Sequence, residues 1–185
     1  MSASEELVVL VNEADEILGT IPKAQVHGAE TPLHRAFSCF LFNTKGELLL
    51  QQRSHKKKTW PLMWSNSVCG HPMPDEKTEA AVERRAAFEL GVSITELRFV
   101  SPYRYKAVKD GVMENEICPI FCGLLTEEPK PNPDEVEAVQ WMPWTDFLEE
   151  IRTNPETYSI WCREEAAIIE TLRQKDDEKI AGLFY

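Results

Sequence analysis

A mixed α/β (α+β) sandwich, one domain of β-sheet flanked by helices, is the fold class this sequence predicts. Apolar runs rich in β-branched residues follow one another as hairpins instead of alternating with helices, which argues against a doubly wound parallel sheet. One strong helical pattern is inserted between strands, and further helix is appended after the last of them. The 185 residues, 43% hydrophobic and 28% charged, suffice for a single domain, 1–185, with a sizeable core.

Each element has its own signal. ELVVLVN (6–12) is an apolar β-branched run; EADE and then ILGTIP follow, so the pair reads as a hairpin. Residues 24–35, AQVHGAETPLHR, are loop or short helix, broken by Gly28 and Pro32. FSCFLF and ELLLQQR, joined by the turn Asn43–Gly46, form the clearest hairpin. Residues 54–75 are irregular and rich in Lys, Trp and Pro, and a long structureless segment inside a domain is more often functional than accidental. Residues 77–90, KTEAAVERRAAFEL, are good helix formers, and Gly91 is placed to cap them. FVSPYRYKAV and VMENEICPIFCGLL read as two strands joined at Lys109–Gly111. EEPKPNPDE is a surface loop and VEAVQWMP a further strand; WTDFLEEIR and Ile160–Leu183 are amphipathic helices.

The formal net charge of −11 is a poor fit to nucleic-acid binding, which needs a basic face. It leaves room for a local basic pocket that takes a small phosphate-bearing substrate. No stretch approaches the roughly 18 apolar residues of a membrane span, so membrane insertion is not expected. Nothing in the sequence predicts a protein partner. MSASEELVVLVNE has acidic residues before a short apolar run and no basic flank, unlike a secretory signal. The five cysteines, Cys39, Cys69, Cys118, Cys122 and Cys162, form no disulfide framework and predict reduced thiols in a cytoplasm. Cys118 and Cys122 lie inside the apolar run ICPIFCGLL without a second pair, so they read as buried strand and not as a zinc site.

Residues 66–72 read NSVCGHP. Cys69, two residues from His71, has four open readings: nucleophile, metal ligand, acid–base group, or small buried side chain. From Gly70 the chain continues GHPMPDEKTEAAVERRAAFELGV. This resembles the Nudix box, G-x5-E-x7-R-E-U-x-E-E-x-G-U with U apolar. Gly70, Glu76, Arg84, Glu89, Gly91 and Val92 fall in register. The resemblance implies a Nudix-type mixed sheet sandwich. Arg85 and Phe88 stand where two metal-binding glutamates belong, which weakens the cluster that would activate water for hydrolysis. Arg85 and Glu89, four apart, share one helix face. They are either a surface ion pair, or a cation for phosphate beside a carboxylate for Mg2+.

The four histidines are His27, His34, His55 and His71. Glu114 and Glu116 lie in VMENEICP, where a period of two puts both on one face with Asn115 opposite. Two such carboxylates repel unless a cation lies between them or one is protonated. A solvated strand face is the plain alternative, but Val112, Met113, Ile117 and Ile120 argue for burial. Three imidazoles and two carboxylates would make a metal site of mixed nitrogen and oxygen ligands. Spacing supplies the pairs His27/His34 and Glu114/Glu116; joining His71 to them requires a fold.

The order H-x6-H, then R-x3-K-x2-WP-x2-W-x-NSVCGHP, the altered box, YRY and ENE-x-CP resembles the type I isopentenyl-diphosphate isomerases. The likeness runs from about Leu7 to the C-terminal helix, more loosely in the last third. It implies interconversion of isopentenyl and dimethylallyl diphosphate, in isoprenoid biosynthesis. It implies that Cys69 and Glu116 are the acid–base pair and Tyr105 a catalytic tyrosine. It implies one divalent metal (manganese, zinc or magnesium) on His27, His34, His71, Glu114 and Glu116. Glu89 would help hold a Mg2+ that arrives with the substrate diphosphate. Lys23, Arg53, Lys57 and Arg85 would contact that diphosphate, and Trp161 matches an active-site tryptophan. Cys39, Cys118, Cys122 and Cys162 read as structural, His55 as surface, and Trp60 and Trp64 as packing. Two rivals stand beside this: a Nudix diphosphate hydrolase, and a non-enzymatic module whose His and Glu residues are structural.

Overall fold

In the computed structural model, which describes residues 6–184, the strands divide between two sheets. The first five residues of the stretch read as unlike a secretory signal, and Tyr185, lie outside the described residues. Strands β1 (Leu7–Val11) and β2 (Ile17–Pro22) form the expected hairpin and lead into the single-turn helix α1 (Lys23–Val26). Next come β3 (His34–Arg35), β4 (Phe37–Phe42), β5 (Glu47–Arg53), β6 (Trp64–Ser65) and β7 (Val68–Gly70). Helix α2 (Thr78–Leu90) ends at Gly91, whose φ of 65° is the left-handed cap conformation. Strands β8 (Thr95–Ser101), β9 (Arg104–Lys109), β10 (Val112–Ile117), β11 (Ile120–Leu124) and β12 (Val136–Pro143) follow, then α3 (Trp144–Thr153) and α4 (Ile160–Arg173). One sheet runs β2-β1-β3-β10-β9 and the other β12-β5-β4-β11-β8, with β6 added on β5 and β7 on β4. Most neighbours are antiparallel, but β3–β10 and β4–β11 are parallel.

Strand β4 explains the layering. It is buried on both faces, and its side chains alternate between two cores. Phe37, Cys39 and Leu41 pack with Ala81, Val82 and Leu90 of α2. Phe40 and Phe42 pack with Trp144 and Phe147 of α3 and with Ala166 and Ile169 of α4. Each large apolar side chain so buried contributes about 1.5–3 kcal/mol. The sheet is therefore sandwiched between α2 and the α3–α4 pair. No described helix is long and apolar enough to cross a membrane.

Three expectations are corrected. FVSPYRYKAV and VMENEICPIFCGLL do not each form one strand. Each passes from one sheet to the other, breaking at Pro102–Tyr103 and at Cys118–Pro119. A proline has no N–H to give a ladder, and the two breaks are tied together where Cys118 N–H donates to Tyr103 O at 2.8 Å. The helix expected over Ile160–Leu183 stops at Arg173; Asp176 turns the chain with φ of 51°, and Ile180 and Leu183 return to the core from a 3-10 turn. Residues 54–75 are not wholly irregular, because β4 and β5 pair only at Phe42–Leu48 and then part. β6 and β7 enter the gap. Ser67 spans it: Leu41 N–H donates to Ser67 Oγ (2.7 Å), which donates to Leu49 O (2.6 Å). A side chain thus satisfies backbone groups that the parted ladder would leave bare.

Candidate active site

Strands β3, β10 and β9 are neighbours, and their register sets His34, Glu116 and Tyr105 in one row. Tyr105 O–H donates to Glu116 Oε2 at 2.9 Å. On the other oxygen, Oε1, His34 Nε2 and His71 Nε2 each lie at 3.2 Å. His71 follows β7, and His27 follows α1 with Nε2 2.8 Å from Glu114 Oε2. As expected, Glu114 and Glu116 face inward, while Asn115 donates to Thr31 O on the other side. His34 Nδ1 donates to Pro32 O at 2.9 Å, which leaves the Nε2 lone pair directed at the cluster.

His27 Nε2, His34 Nε2 and Glu114 Oε2 are buried and lack an aligned hydrogen-bond partner. His27 Nε2 and Glu114 Oε2 lie 2.8 Å apart without an aligned hydrogen bond between them. One ligand atom from each of His27, His34, His71 and Glu116 lies within 4.8 Å of all the others. An ion with bonds of about 2.0–2.2 Å fits such a set, so the cluster can hold a metal. Glu114 joins it through His27. Burial pushes the Glu116 carboxyl up, but His34 and His71 outweigh it and hold Glu116 well below the usual carboxylate range. Burial pulls His34 down, and Glu116 more than reverses this. For His71 burial wins, to about 3, despite the same carboxylate.

Cys69 is placed opposite Ser38 by the β4–β7 register, with Sγ 3.6 Å from Ser38 Oγ. Burial first, and then the Glu165 carboxyl, push its thiol up to about 12. Trp161, from α4, lies edge-on to Trp60 at 5.2 Å between centroids and tilted against Tyr105 at 5.8 Å. Cys69, Tyr105, Glu116 and Trp161 border one cavity of about 560 Å³.

Lys23, Arg53, Lys57 and Arg85 border the same cavity. Carboxylates already engage three of them. Lys23 Nζ is 2.6 Å from Glu6, Lys57 pairs with Glu135, and Arg85 pairs with Glu89, with Glu135 at 2.9 Å and with Glu6 at 3.4 Å. Arg53 donates to Thr59 O and Trp60 O and lies 5.7 Å over the Trp161 ring. Glu89 does not border the cavity. It is 2% exposed, gripped by Arg85 and by Gln51 Nε2 at 3.2 Å. Phe88 is exposed, its ring 5.0 Å from the Arg85 guanidinium. Glu76 and Arg84 pair at 2.7 Å, and Arg84 also donates to His71 O, so the box staples the metal-facing loop to α2.

The sequence reading missed Asn66, Glu6, Glu135 and Glu165. Asn66 lay inside the quoted NSVCGHP. Glu135 was hidden in a loop that looked solvated, and Glu6 in an acidic N-terminus. Glu165 is fully buried in α4, with Oε2 unpartnered, and burial pushes its carboxyl well above the usual range. His55 is exposed, and Cys39, Cys118, Cys122 and Cys162 are buried free thiols, as expected.

The NUDIX domain family matches residues 32–167. Proteins named isopentenyl-diphosphate Delta-isomerase are similar over most of the chain. One from Saccharopolyspora erythraea is 46% identical over 164 residues, 88% of this chain and 84% of its own. One from Mycolicibacterium vanbaalenii is 52% identical over 141 residues, 75% and 78% of the two chains. One from Klebsiella pneumoniae is 45% identical over 163 residues, 87% and 89%. Among solved structures, a Deinococcus radiodurans protein superposes with a TM-score of 0.70 at 23% identity, covering 88% of this chain and 98% of that one. That last likeness is one of fold.

Proposed function

The chain belongs to the Nudix family and, within it, to the isopentenyl-diphosphate Delta-isomerases; from that premise we propose that Cys69 and Glu116 exchange the two protons that convert isopentenyl diphosphate to dimethylallyl diphosphate. One proton is added at the terminal carbon of the alkene. Another leaves the CH2 on the far side of the branched carbon, so the double bond moves and no net proton is consumed. An isolated alkene is a very weak base. Its protonation needs an acid held close in a dry site, and the tertiary cation-like state needs stabilising.

The observation that supports this reading is a single cavity bordered by Cys69, Tyr105 and Glu116 and also by Lys23, Lys57 and Arg85. Tyr105 donates to Glu116 and holds its orientation. The negative face of Trp161 suits the developing cation. Cys69, kept as a thiol by its surroundings, is the second proton-exchanging group. His27, His34, His71, Glu114 and Glu116 would hold one divalent ion, for which manganese, zinc and magnesium all suit the donors. Bound there, it supplies fixed positive charge that tunes the acidity of Glu116. Lys23, Arg53, Lys57 and Arg85 bind the diphosphate through charge-assisted hydrogen bonds. Glu89 is assigned the Mg2+ that accompanies the diphosphate, which it would reach only once Arg85 turns from it to a phosphate oxygen. The free cysteines suit a reducing compartment, and we place the enzyme in the cytoplasm.

The test is to follow isopentenyl diphosphate with Mg2+ by proton and phosphorus NMR. Dimethylallyl methyl signals should appear with the diphosphate intact; released phosphate would favour a hydrolase instead. Cys69→Ser should keep the fold and lose most turnover, and near-normal turnover would remove Cys69 from the mechanism.

A further inference from the structure

Asn66 is fully buried between β6 and β7. Its side-chain nitrogen donates to the carbonyls of Cys39 and Val68, both at 3.1 Å. A carbonyl only accepts, so the nitrogen must face that side. The oxygen then faces the other way, where three donors converge on it: Ser65 Oγ at 2.9 Å, Cys69 Sγ at 3.0 Å and Trp161 Nε1 at 3.2 Å. An indole N–H only donates, which independently requires an oxygen at this place. The orientation of the amide is thus set from both ends. Ser65 spends its one proton on Asn66, so Ser159 Oγ, 2.9 Å away, donates to Ser65. Ser159 is the residue before α4, and its N–H donates to Trp64 O at 2.9 Å. The network ties the start of α4, and with it Trp161, to the strands that carry Cys69.

We propose that Asn66 is a positioning residue for the isomerisation: its oxygen accepts the resting Cys69 S–H bond, so fixes the place of Sγ, and holds the thiol and the Trp161 ring as one unit. This role presupposes the part assigned above to Cys69. Without that acceptor the side chain turns freely and Sγ leaves its place. Held by Asn66 in the resting thiol, Sγ stays at the wall of the cavity that Cys69 borders; to protonate carbon the S–H bond turns about Cβ–Sγ from Asn66 to the substrate, leaving a thiolate that can take a proton back. Proton transfer to or from carbon depends steeply on such placement. The cation-facing ring, 95 residues away in sequence from Asn66, is kept in register with the thiol by the same atom.

The test reads the S–H stretching band of the metal-loaded enzyme in the infrared, beside steady-state kinetics. The Cys69 band is the one lost in Cys69→Ser. In Asn66→Ala it should move to higher wavenumber, toward a free thiol. There kcat should fall about a hundred-fold while the KM for isopentenyl diphosphate changes little, because the diphosphate contacts are untouched. Trp161→Phe keeps an aromatic ring and removes the indole N–H. The Cys69 band should then move to lower wavenumber, since one competitor for the Asn66 oxygen is gone. An unmoved Cys69 band in a folded Asn66→Ala, or a loss confined to KM, overturns the proposal. Should Asn66→Ala not fold, Trp161→Phe decides alone, and an unmoved band there overturns it. Full turnover of Cys69→Ser would instead refute the role of Cys69 while leaving the band shifts in place, so the two failures are distinguishable.

Discussion

Replacing Arg85 by methionine removes the cation at the centre of the carboxylate cluster while keeping most of the side-chain volume. Arg85 is 3% exposed and pairs with Glu89, Glu135 and Glu6. Without it, the buried Glu89 keeps only the Gln51 amide as a partner. Removing one member of a buried pair costs about 3–5 kcal/mol, against a total stability of about 5–15 kcal/mol. For a chain of this size each kcal/mol moves the melting temperature by about 2–4 °C, so a fall of about 6–20 °C is expected. Glu6 and Glu135 are held below their ordinary values, against burial, by Lys23 and Arg85 and by Lys57 and Arg85. Stability from a depressed carboxyl is present above the unfolded pKa and is lost as pH falls through the folded value. The variant has less of it to lose. Its deficit should therefore be widest at neutral pH and narrow below the ordinary carboxyl value of 4.5. Calorimetry of parent and variant across that range is the assay. Titration with inorganic pyrophosphate should show binding weakened about 10–150-fold, the loss of one charge-assisted hydrogen bond of about 1.5–3 kcal/mol. A melting temperature within about 2 °C of the parent at neutral pH, or a deficit that does not change with pH, would refute this electrostatic account.

Tyr105→Phe removes the donor 2.9 Å from Glu116 and should lower kcat about 10–150-fold, with metal content by elemental analysis unchanged. An unaltered kcat would deny Tyr105 its part. Glu116→Gln discharges the carboxylate shared by His34 and His71, so both bound metal and turnover should drop; full metal occupancy would contradict a shared ligand. Gly70→Ala places a Cβ 2.9 Å from Arg85 Cγ and 3.1 Å from the Phe37 ring, and overpacking should cost about 1–3 kcal/mol on thermal unfolding. A parent-like unfolding curve would show that α2 has room to yield.

Helix α2 and the Glu114/Glu116 face were legible because periodicity is a local property. Residues 77–90 favour helix whatever surrounds them, and alternate residues of a strand share a face before any partner strand is known. Box spacing marked Glu76 and Arg84, which pair, and the altered positions Arg85 and Phe88, which meet as cation and ring. Resemblance supplied the histidines that the fold then brought to within one ion's reach.

By itself, then, the sequence determined the α+β class, the inserted helix, the pairs at fixed spacing and, through resemblance, the chemistry. Only the tertiary structure decided that the chain changes sheets at Pro102 and Pro119, and that Glu6 and Glu135 close on Arg85. Only it decided that Glu165 is buried and that three donors meet on the oxygen of Asn66. Most of these contacts join segments tens of residues apart. What a carboxylate or an amide is worth there depends on its burial and its partners, and both exist only once the sheets and helices have assembled.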